Sequence, residues 1–169
     1  MIPDQELKIV FTGPMGAGKT TAIRSISDAP PVSTEVLNTD RSTCSKESTT
    51  VALDYGQLLL DDGTSVRLYG TPGQERFSFM WEILCNGSLG VILLIDGSST
   101  TALTDLHHYA DVFRNINPDR PFVIGVSRMS AQNGVELDHY AHALAAKKIV
   151  APLFGVDVRN RDEIGRAHV

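Results

Sequence analysis

Short apolar runs alternate along the chain with segments of helical spacing. ELKIVFT (6–12), LGVILLIDG (89–97) and PFVIGVS (121–127) are near-continuous apolar runs, as in parallel strands covered on both faces. VAPLFGVDV (150–158) predicts a last strand. Three segments between the runs repeat apolar residues with a helical period: KTTAIRSIS, TALTDLHHYADVFRNI and VELDHYAHALAAKK. This alternation predicts a three-layer α/β/α domain with a mostly parallel sheet.

One pair of strands departs from the parallel pattern. VALDYGQLLL (51–60) and SVRLYG (65–70) flank Asp61-Asp62-Gly63, which predicts a β-hairpin and therefore one antiparallel strand. Residues 29–49, before the hairpin, are polar and rich in serine and threonine, with two prolines at their start. We expect this segment to be a long loop, and loops of that length in compact domains are usually functional.

The end of the chain, NRDEIGRAHV (160–169), begins a helix and then stops. An α/β domain of this kind is expected to finish on a full helix that covers the sheet. We therefore predict one domain over residues 1–163, with a truncated last helix and a non-native tail at 164–169, because common adapter DNA encodes IGRAHV. A short natural tail is the alternative.

Composition narrows the class of protein only slightly. The chain has 169 residues, 42% of them hydrophobic and 21% charged, with a net charge of -5, so no nucleic-acid-binding surface is indicated. The chain shows no signal peptide, no apolar run that could span a membrane and no lipidation motif. We expect the two cysteines, Cys44 and Cys85, to be free thiols in a reducing compartment. We expect a cytoplasmic protein without a membrane anchor.

The strongest chemical signal is GPMGAGKT at 13–20, which fits the pattern G-x-x-x-x-G-K-[ST] between a strand and a helix. Glycines let the backbone amides curl around a phosphate, Lys19 places a positive charge on the terminal phosphates, and the Thr20 hydroxyl can ligate Mg²⁺. The predicted phosphate-binding residues are Gly13, Met15, Gly16, Ala17, Gly18, Lys19, Thr20 and Thr21.

Three further segments carry a family resemblance. GTPGQERF (70–77), TTVALDYG (49–56) and Val-Asp-Val-Arg at 156–159 resemble the switch segments and the last-strand motif of Ras-like small GTPases. In detail they are similar to the prokaryotic Rup and MglA types, which carry T-P-G-Q in place of D-T-A-G-Q. The resemblance covers nearly the whole chain. It implies a P-loop NTPase fold, GTP or GDP bound with Mg²⁺, and a roadblock-type (MglB-like) regulatory partner.

The resemblance also assigns roles to individual residues. Thr50 would ligate Mg²⁺ and sense the γ-phosphate, the Gly73 amide would bond the γ-phosphate, and Gln74 would orient the attacking water. Contacts of this kind hold two loops that relax after hydrolysis.

Two residues depart from the family pattern near the phosphates. Gly70 replaces the aspartate that normally holds Mg²⁺ through water, so we expect weaker binding of the ion. Met15 stands where most Ras-like proteins have glycine, and its side chain should crowd Gln74. We therefore predict slow intrinsic hydrolysis.

The base-reading motif departs as well. The family reads guanine with N-K-x-D, where this chain has Ser127-Arg128-Met129-Ser130. Arg128 can stack on a purine, but Ser130 cannot offer the bidentate carboxylate contact, so discrimination between bases should be poor. Backbone amides of Asp157 and Val158 could still reach the guanine oxygen.

The main prediction is a small GTP-binding switch that hydrolyses GTP slowly and regulates partner binding in bacterial signalling or polarity. Two alternatives remain open. One is a P-loop nucleotide-binding module with little hydrolysis or relaxed ATP/GTP preference. The other is an ATP-using P-loop enzyme such as a kinase, against which stand GTPGQERF and the absence of an arginine-rich lid segment.

Overall fold

The computed structural model describes residues 7–37, 50–116, 118–129 and 136–165, of which residues 33–37 and 50–52 are described by their backbone alone. The strands are β1 Leu7–Thr12, β2 Val32–Leu37, β3 Thr50–Leu59, β4 Ser65–Gly70, β5 Gly90–Asp96, β6 Phe122–Ser127 and β7 Leu153–Gly155. The helices are α1 Lys19–Ile26, α2 Ser78–Cys85, α3 Ala102–Ile116, α4 Leu137–Ala146 and α5 Arg161–Gly165, with a 3-10 turn at Glu75–Phe77 before α2.

The strands form one seven-stranded sheet in the order β2-β3-β4-β1-β5-β6-β7. Among the strands that the structure describes, only β3 runs against its neighbours, since β2 and β4 both pair with it antiparallel while the remaining pairs are parallel. The predicted α/β fold with a mostly parallel sheet and one antiparallel hairpin strand is therefore confirmed.

Strand β2 corrects the sequence prediction, which gave 29–49 as a loop. Residues Val32–Leu37 pair with β3 over its whole first half, with Val32 opposite Tyr55 and Leu37 opposite Thr50. The serine and threonine content suggested a loop, but strands at the edge of a sheet commonly carry polar side chains. The part of the predicted loop at 38–49 lies outside the described residues.

Helices cover both faces of the sheet. One core cluster joins β1, β5 and β6 to α2, α3 and α4, and the other joins the opposite strand faces to α1 and α5. In β5, Leu93 faces the first cluster while Ile92 and Leu94 face the second, which is the alternation of a strand buried on both sides. The three-layer prediction is confirmed by this arrangement.

The carboxyl ends of β1, β4, β5 and β6 lie at one edge of the sheet. They are Thr12, Gly70, Asp96 and Ser127, and each is followed by a segment that the sequence analysis singled out. In open α/β sheets, ligands bind outside this edge. The fold thus brings the candidate residues together.

Two remaining predictions concern the chain end and membranes. Helix α5 spans Arg161–Gly165, with Ile164 buried beside α1, and residues 166–169 lie outside the described part, so the boundary at 163 stays a prediction. Within the described ranges, none of the helices has the length and apolar character needed to cross a membrane.

Candidate functional site

The phosphate loop joins β1 to α1, as the sequence predicts. Gly13, Gly16 and Gly18 have φ values of 134°, 84° and 99°, in the region that favours glycine. A Cβ atom on Gly13 would lie 2.1 Å from the Leu94 carbonyl oxygen, so no larger residue fits there. The glycines therefore set the loop backbone that precedes the helix N-terminus, where anions bind well.

Lys19 is the charged group of this loop and is only 8% exposed. Its Nζ donates hydrogen bonds to the carbonyl oxygens of Gly13 (2.7 Å) and Pro14 (2.8 Å). Burial lowers the pKa of Lys19 to about 8, and the Asp54 carboxylate partly opposes that shift. A bound phosphate would favour the charged form of this amine.

A cavity of about 360 Å³ lies over the loop. Its lining includes residues of the phosphate loop and residues 71–74, whereas Gly13 and Ala17 are buried and do not line it. Of the predicted site residues, it brings together Met15, Gly16, Gly18, Lys19, Thr20, Thr21, Gly73, Gln74 and Arg128.

Gly73 approaches the loop closely. A Cβ atom at this position would lie 2.6 Å from the Met15 amide nitrogen and 2.9 Å from Lys19 Nζ. Because real side chains do not tolerate such distances, position 73 requires glycine. This contact brings the Gly73 backbone against the phosphate loop, beside Met15 and Lys19.

The Gln74 side chain contacts Met15, the residue that was expected to crowd it. Its Nε2 lies 3.9 Å from the Met15 sulfur, and its Oε1 accepts a hydrogen bond of 2.7 Å from Arg76 Nε. Both ends of the amide are therefore engaged, and Gln74 would have to leave these contacts to orient a water molecule.

Asp54 is a site residue that the sequence analysis missed. It lies on β3 directly opposite Gly70 on β4, and its Oδ2 accepts a hydrogen bond of 2.5 Å from Thr20 Oγ1. A Cβ atom on Gly70 would lie 3.1 Å from Asp54 Cβ, so the glycine leaves room for the carboxylate. Counting back from the predicted hairpin turn would have placed residues 54 and 70 opposite each other.

Thr20 and Asp54 together fit Mg²⁺. The threonine hydroxyl donates a hydrogen bond to the carboxylate, so its lone pairs remain available to Mg²⁺, a cation that prefers oxygen ligands. The described residues hold no cluster of three or more His, Cys, Asp or Glu side chains for a metal, so phosphate and water would supply the other ligands. Thr50 begins β3, and its side chain lies outside the described part, so its metal-binding role stays a prediction.

A second cavity of about 640 Å³ adjoins the first. Arg128 lines both cavities, with φ at 52° and its guanidinium paired with the Asp96 carboxylate. Burial acts to raise the pKa of Asp96, but hydrogen bonds from Ser98 and the charge of Arg128 outweigh it and lower the pKa. Arg128 is therefore held at the junction of the two cavities.

The predicted base-reading loop is largely bonded to itself. The Asp157 amide donates to Glu163 Oε2 (2.7 Å), and the Arg159 amide donates to Asp157 Oδ1 (3.0 Å). Hydrogen bonds from Arg159 lower the pKa of Asp157 to about 2. Val158 packs against the phosphate loop, with its Cγ2 atom 3.0 Å from where a Gly18 Cβ would lie.

Ser127, which lines the second cavity, is bonded to the phosphate loop. It is 1% exposed, and its hydroxyl lies 3.3 Å from the Ala17 carbonyl oxygen and 3.2 Å from that of Ile95. These bonds explain why a polar side chain is buried here. Ser127 therefore positions the strand end that carries Arg128.

A comparison with family models identifies the chain at a coarser level than the resemblance does. The model described as "Conserved hypothetical ATP binding protein" matches residues 30–153, which is most of the chain. The chain belongs to this family. The match begins after the phosphate loop at 13–20 and includes Asp54, Gly73, Gln74 and Arg128. Family membership and the loop together make this a nucleotide-binding protein of the P-loop type.

One curated relative is similar over part of its length. Uncharacterized protein MJ1339 of Methanocaldococcus jannaschii is 31% identical over 93 residues, which are 55% of this chain and 53% of that protein. The chain thus spans about half the length of the curated relative that it matches.

Proposed function

We propose that the protein binds a purine nucleoside triphosphate with Mg²⁺ over the phosphate loop, accepts ATP as well as GTP, and hydrolyses it slowly. The observation that carries the proposal is the cleft in which Lys19, the Thr20–Asp54 pair and the Gly73 backbone converge.

The phosphate end of the cleft has the groups that a triphosphate needs. Lys19 supplies positive charge, the amides of the loop and of the α1 N-terminus supply donors, and Thr20 with Asp54 supplies the metal-binding oxygens. When bound, Mg²⁺ would neutralise charge on the phosphates. The chain's own residues orient the phosphates, and the Asp54 carboxylate accepts the hydrogen bond of the Thr20 hydroxyl.

The base end supports relaxed preference between adenine and guanine. Two described carboxylates line that cavity, and both already accept hydrogen bonds inside the protein: Asp157 from Arg159, and Glu163 from Asp157 and Asn160. Neither is left uncommitted for the bidentate contact that guanine makes, and position 130 is serine. The family description as ATP-binding agrees with this proposal.

A specific observation favours a second candidate, a GTP-specific switch of the Rup or MglA type. The Thr71-Pro72-Gly73-Gln74 segment lies in the phosphate cavity beside Met15, where a switch segment would read the terminal phosphate. A roadblock-type partner and a cytoplasmic location belong to this candidate. An ATP-using P-loop enzyme is a third candidate, and it shares the phosphate site.

Competition binding tests the proposal. The purified protein with Mg²⁺ is titrated with fluorescent ADP and GDP analogues, which are then displaced by unlabelled ATP and GTP. We expect ATP and GTP affinities within about tenfold of each other, because no dedicated carboxylate contact separates them. A GTP preference above about a hundredfold would favour the switch candidate instead. Absence of binding to either nucleotide would overturn the proposal.

A further inference from the structure

Two buried aromatic residues hold the backbone on both sides of Gly73. The Trp81 indole Nε1 on α2 donates a hydrogen bond of 2.9 Å to the Pro72 carbonyl oxygen. The Tyr109 hydroxyl on α3 donates one of 3.1 Å to the Gly73 carbonyl oxygen. Trp81 is 1% exposed and Tyr109 is 4% exposed. Both donors therefore reach the segment from the core, while Pro72, Gly73 and Gln74 line the phosphate cavity on the other side.

The geometry of the peptide bond, together with these hydrogen bonds, determines the direction in which the Gly73 N–H points. The Pro72–Gly73 peptide is trans, and in a trans peptide the C=O and N–H groups point in opposite directions. The Pro72 carbonyl points at Trp81 in the core, so the Gly73 N–H points away from the core. The same reasoning applies to the next peptide, where Tyr109 holds the Gly73 carbonyl and so fixes the direction of the Gln74 N–H.

The two donors are themselves firmly placed. The Trp81 ring lies 5.1 Å from the Tyr109 ring and 5.7 Å from the Phe113 ring, centroid to centroid. Burial, with the charges of Asp105 and Glu75, raises the pKa of Tyr109 to about 12, so its hydroxyl stays protonated and acts as a hydrogen-bond donor. An aromatic stack of this kind leaves little freedom to either hydrogen bond.

We propose that Trp81 and Tyr109 are positioning residues that aim the Gly73 and Gln74 amides at the terminal phosphate of the nucleotide. The inference rests on the proposed function, because it needs a nucleotide in the cavity. It adds that discrimination between triphosphate and diphosphate depends on two residues that touch neither the nucleotide nor the phosphate loop. It also connects the terminal phosphate to α2 and α3, so that the loss of that phosphate is transmitted to both helices through these two hydrogen bonds.

The decisive variants remove a donor and leave most of the packing. Tyr109→Phe deletes one hydroxyl, and Trp81→Phe deletes the indole N–H while keeping an aromatic ring. Tyr140→Phe is the matched control, since Tyr140 is fully buried in the same core and its hydroxyl has no hydrogen-bond partner among the described residues. All three variants remove a buried polar group, but only the first two remove a bond to the segment 72–73.

The measurement is the ratio of affinities for a non-hydrolysable triphosphate and the matching diphosphate, with Mg²⁺. We expect each of the two donor variants to lower this ratio about threefold to tenfold, the usual effect of one hydrogen bond, with diphosphate affinity changed less than about twofold. Tyr140→Phe should keep the wild-type ratio. Trp81 is the single tryptophan of the chain, so its fluorescence should differ between the two nucleotide states, and less so in Tyr109→Phe.

The outcomes separate this inference from the proposed function. If wild type binds both nucleotides but Tyr109→Phe keeps the same ratio as Tyr140→Phe, the inference is wrong and nucleotide binding stands. If wild type binds neither nucleotide, the proposed function fails and the inference fails with it. If Trp81→Phe does not fold, Tyr109→Phe decides alone, because it removes a single oxygen atom.

Discussion

Asp54 on β3 lies directly opposite Gly70 on β4, and the carboxylate of the first occupies space that a side chain on the second would need. We propose that Asp54 supplies, from the neighbouring strand, the acid that Ras-like proteins carry at the position of Gly70. The Thr20 hydroxyl is bonded to it at 2.5 Å. The expectation of weak Mg²⁺ binding was drawn from Gly70 alone, and it stays a prediction.

Replacing Asp54 should weaken Mg²⁺-dependent nucleotide binding. Loss of an acidic group that orients a metal ligand typically lowers metal affinity about 10-fold to 100-fold, and we expect that range for Asp54→Asn. The measurement is nucleotide affinity as a function of Mg²⁺ concentration. Asp61→Asn, in the exposed hairpin turn, is the control and should leave the Mg²⁺ dependence unchanged.

A double variant tests whether the carboxylate can act from β4 as well as from β3. Asp54→Ala combined with Gly70→Asp returns one carboxylate to the family position and should recover part of the Mg²⁺ dependence. Gly70→Asp alone brings two carboxylates together at a crowded position and should weaken Mg²⁺-dependent nucleotide binding. If the double variant behaves like Asp54→Ala alone, the cross-strand replacement is not functional.

Removing the Met15 side chain should speed hydrolysis. The Met15 sulfur contacts the Gln74 amide at 3.9 Å, and Met15→Gly frees one of the two contacts that hold that side chain. We expect the single-turnover rate of phosphate release to rise about threefold to tenfold, the range for one positioning interaction.

The same change in a Gln74→Ala background separates this explanation from a general loosening of the loop. Without the glutamine, Met15→Gly should have no effect on the rate, so the two changes should be non-additive. Equal acceleration in both backgrounds would show that Met15 does not act through Gln74.

The sequence predicts the parts of this protein that have local signals, and misses those that depend on neighbours in space. The phosphate loop at 13–20 and the hairpin turn at 61–63 are readable because glycine is needed at fixed places in each. Strand β2 was missed because its polar residues become compatible with a strand only through pairing with β3. Asp54 was missed because its role exists only across the strand pair.

The role of Trp81 also depends on neighbours in space and could not be predicted from the sequence. The sequence of the apolar segment after Gln74 does not show which of its residues are buried. The structure divides it: Phe77 and Trp81 are buried, whereas Phe79 is 63% exposed. The indole bond to the Pro72 carbonyl could not be foreseen, because it requires the placement of α2 beneath residues 71–74.

Position 130 should control base preference. By the family resemblance, an aspartate there accepts two hydrogen bonds from guanine, so Ser130→Asp should raise GTP affinity over ATP affinity at least about tenfold. The measurement is competition between the two unlabelled nucleotides. Ser130→Ala is the control and should leave the ratio near the wild-type value. An unchanged ratio in Ser130→Asp would mean that the guanine edge does not face this position.

Cys85 should be unreactive in the folded protein. It is 2% exposed, and burial raises its pKa to about 11, opposed in part by Arg120 and Lys8. In a Cys44→Ser background, where Cys85 is the remaining cysteine, a thiol reagent at pH 8 should label it only as fast as the protein unfolds.

The raised pKa of Cys85 also predicts a dependence of stability on pH. The thiol of the unfolded chain ionises near its ordinary value of 9.0 and that of the folded chain near 11, so the contribution is complete below pH 9 and is lost as pH rises toward 11. The urea midpoint should therefore fall over this interval, and fall less in Cys85→Ala. Comparing the two pH profiles, rather than the two stabilities, removes the effect of the small cavity that alanine leaves. Parallel profiles would show that other groups cause the fall.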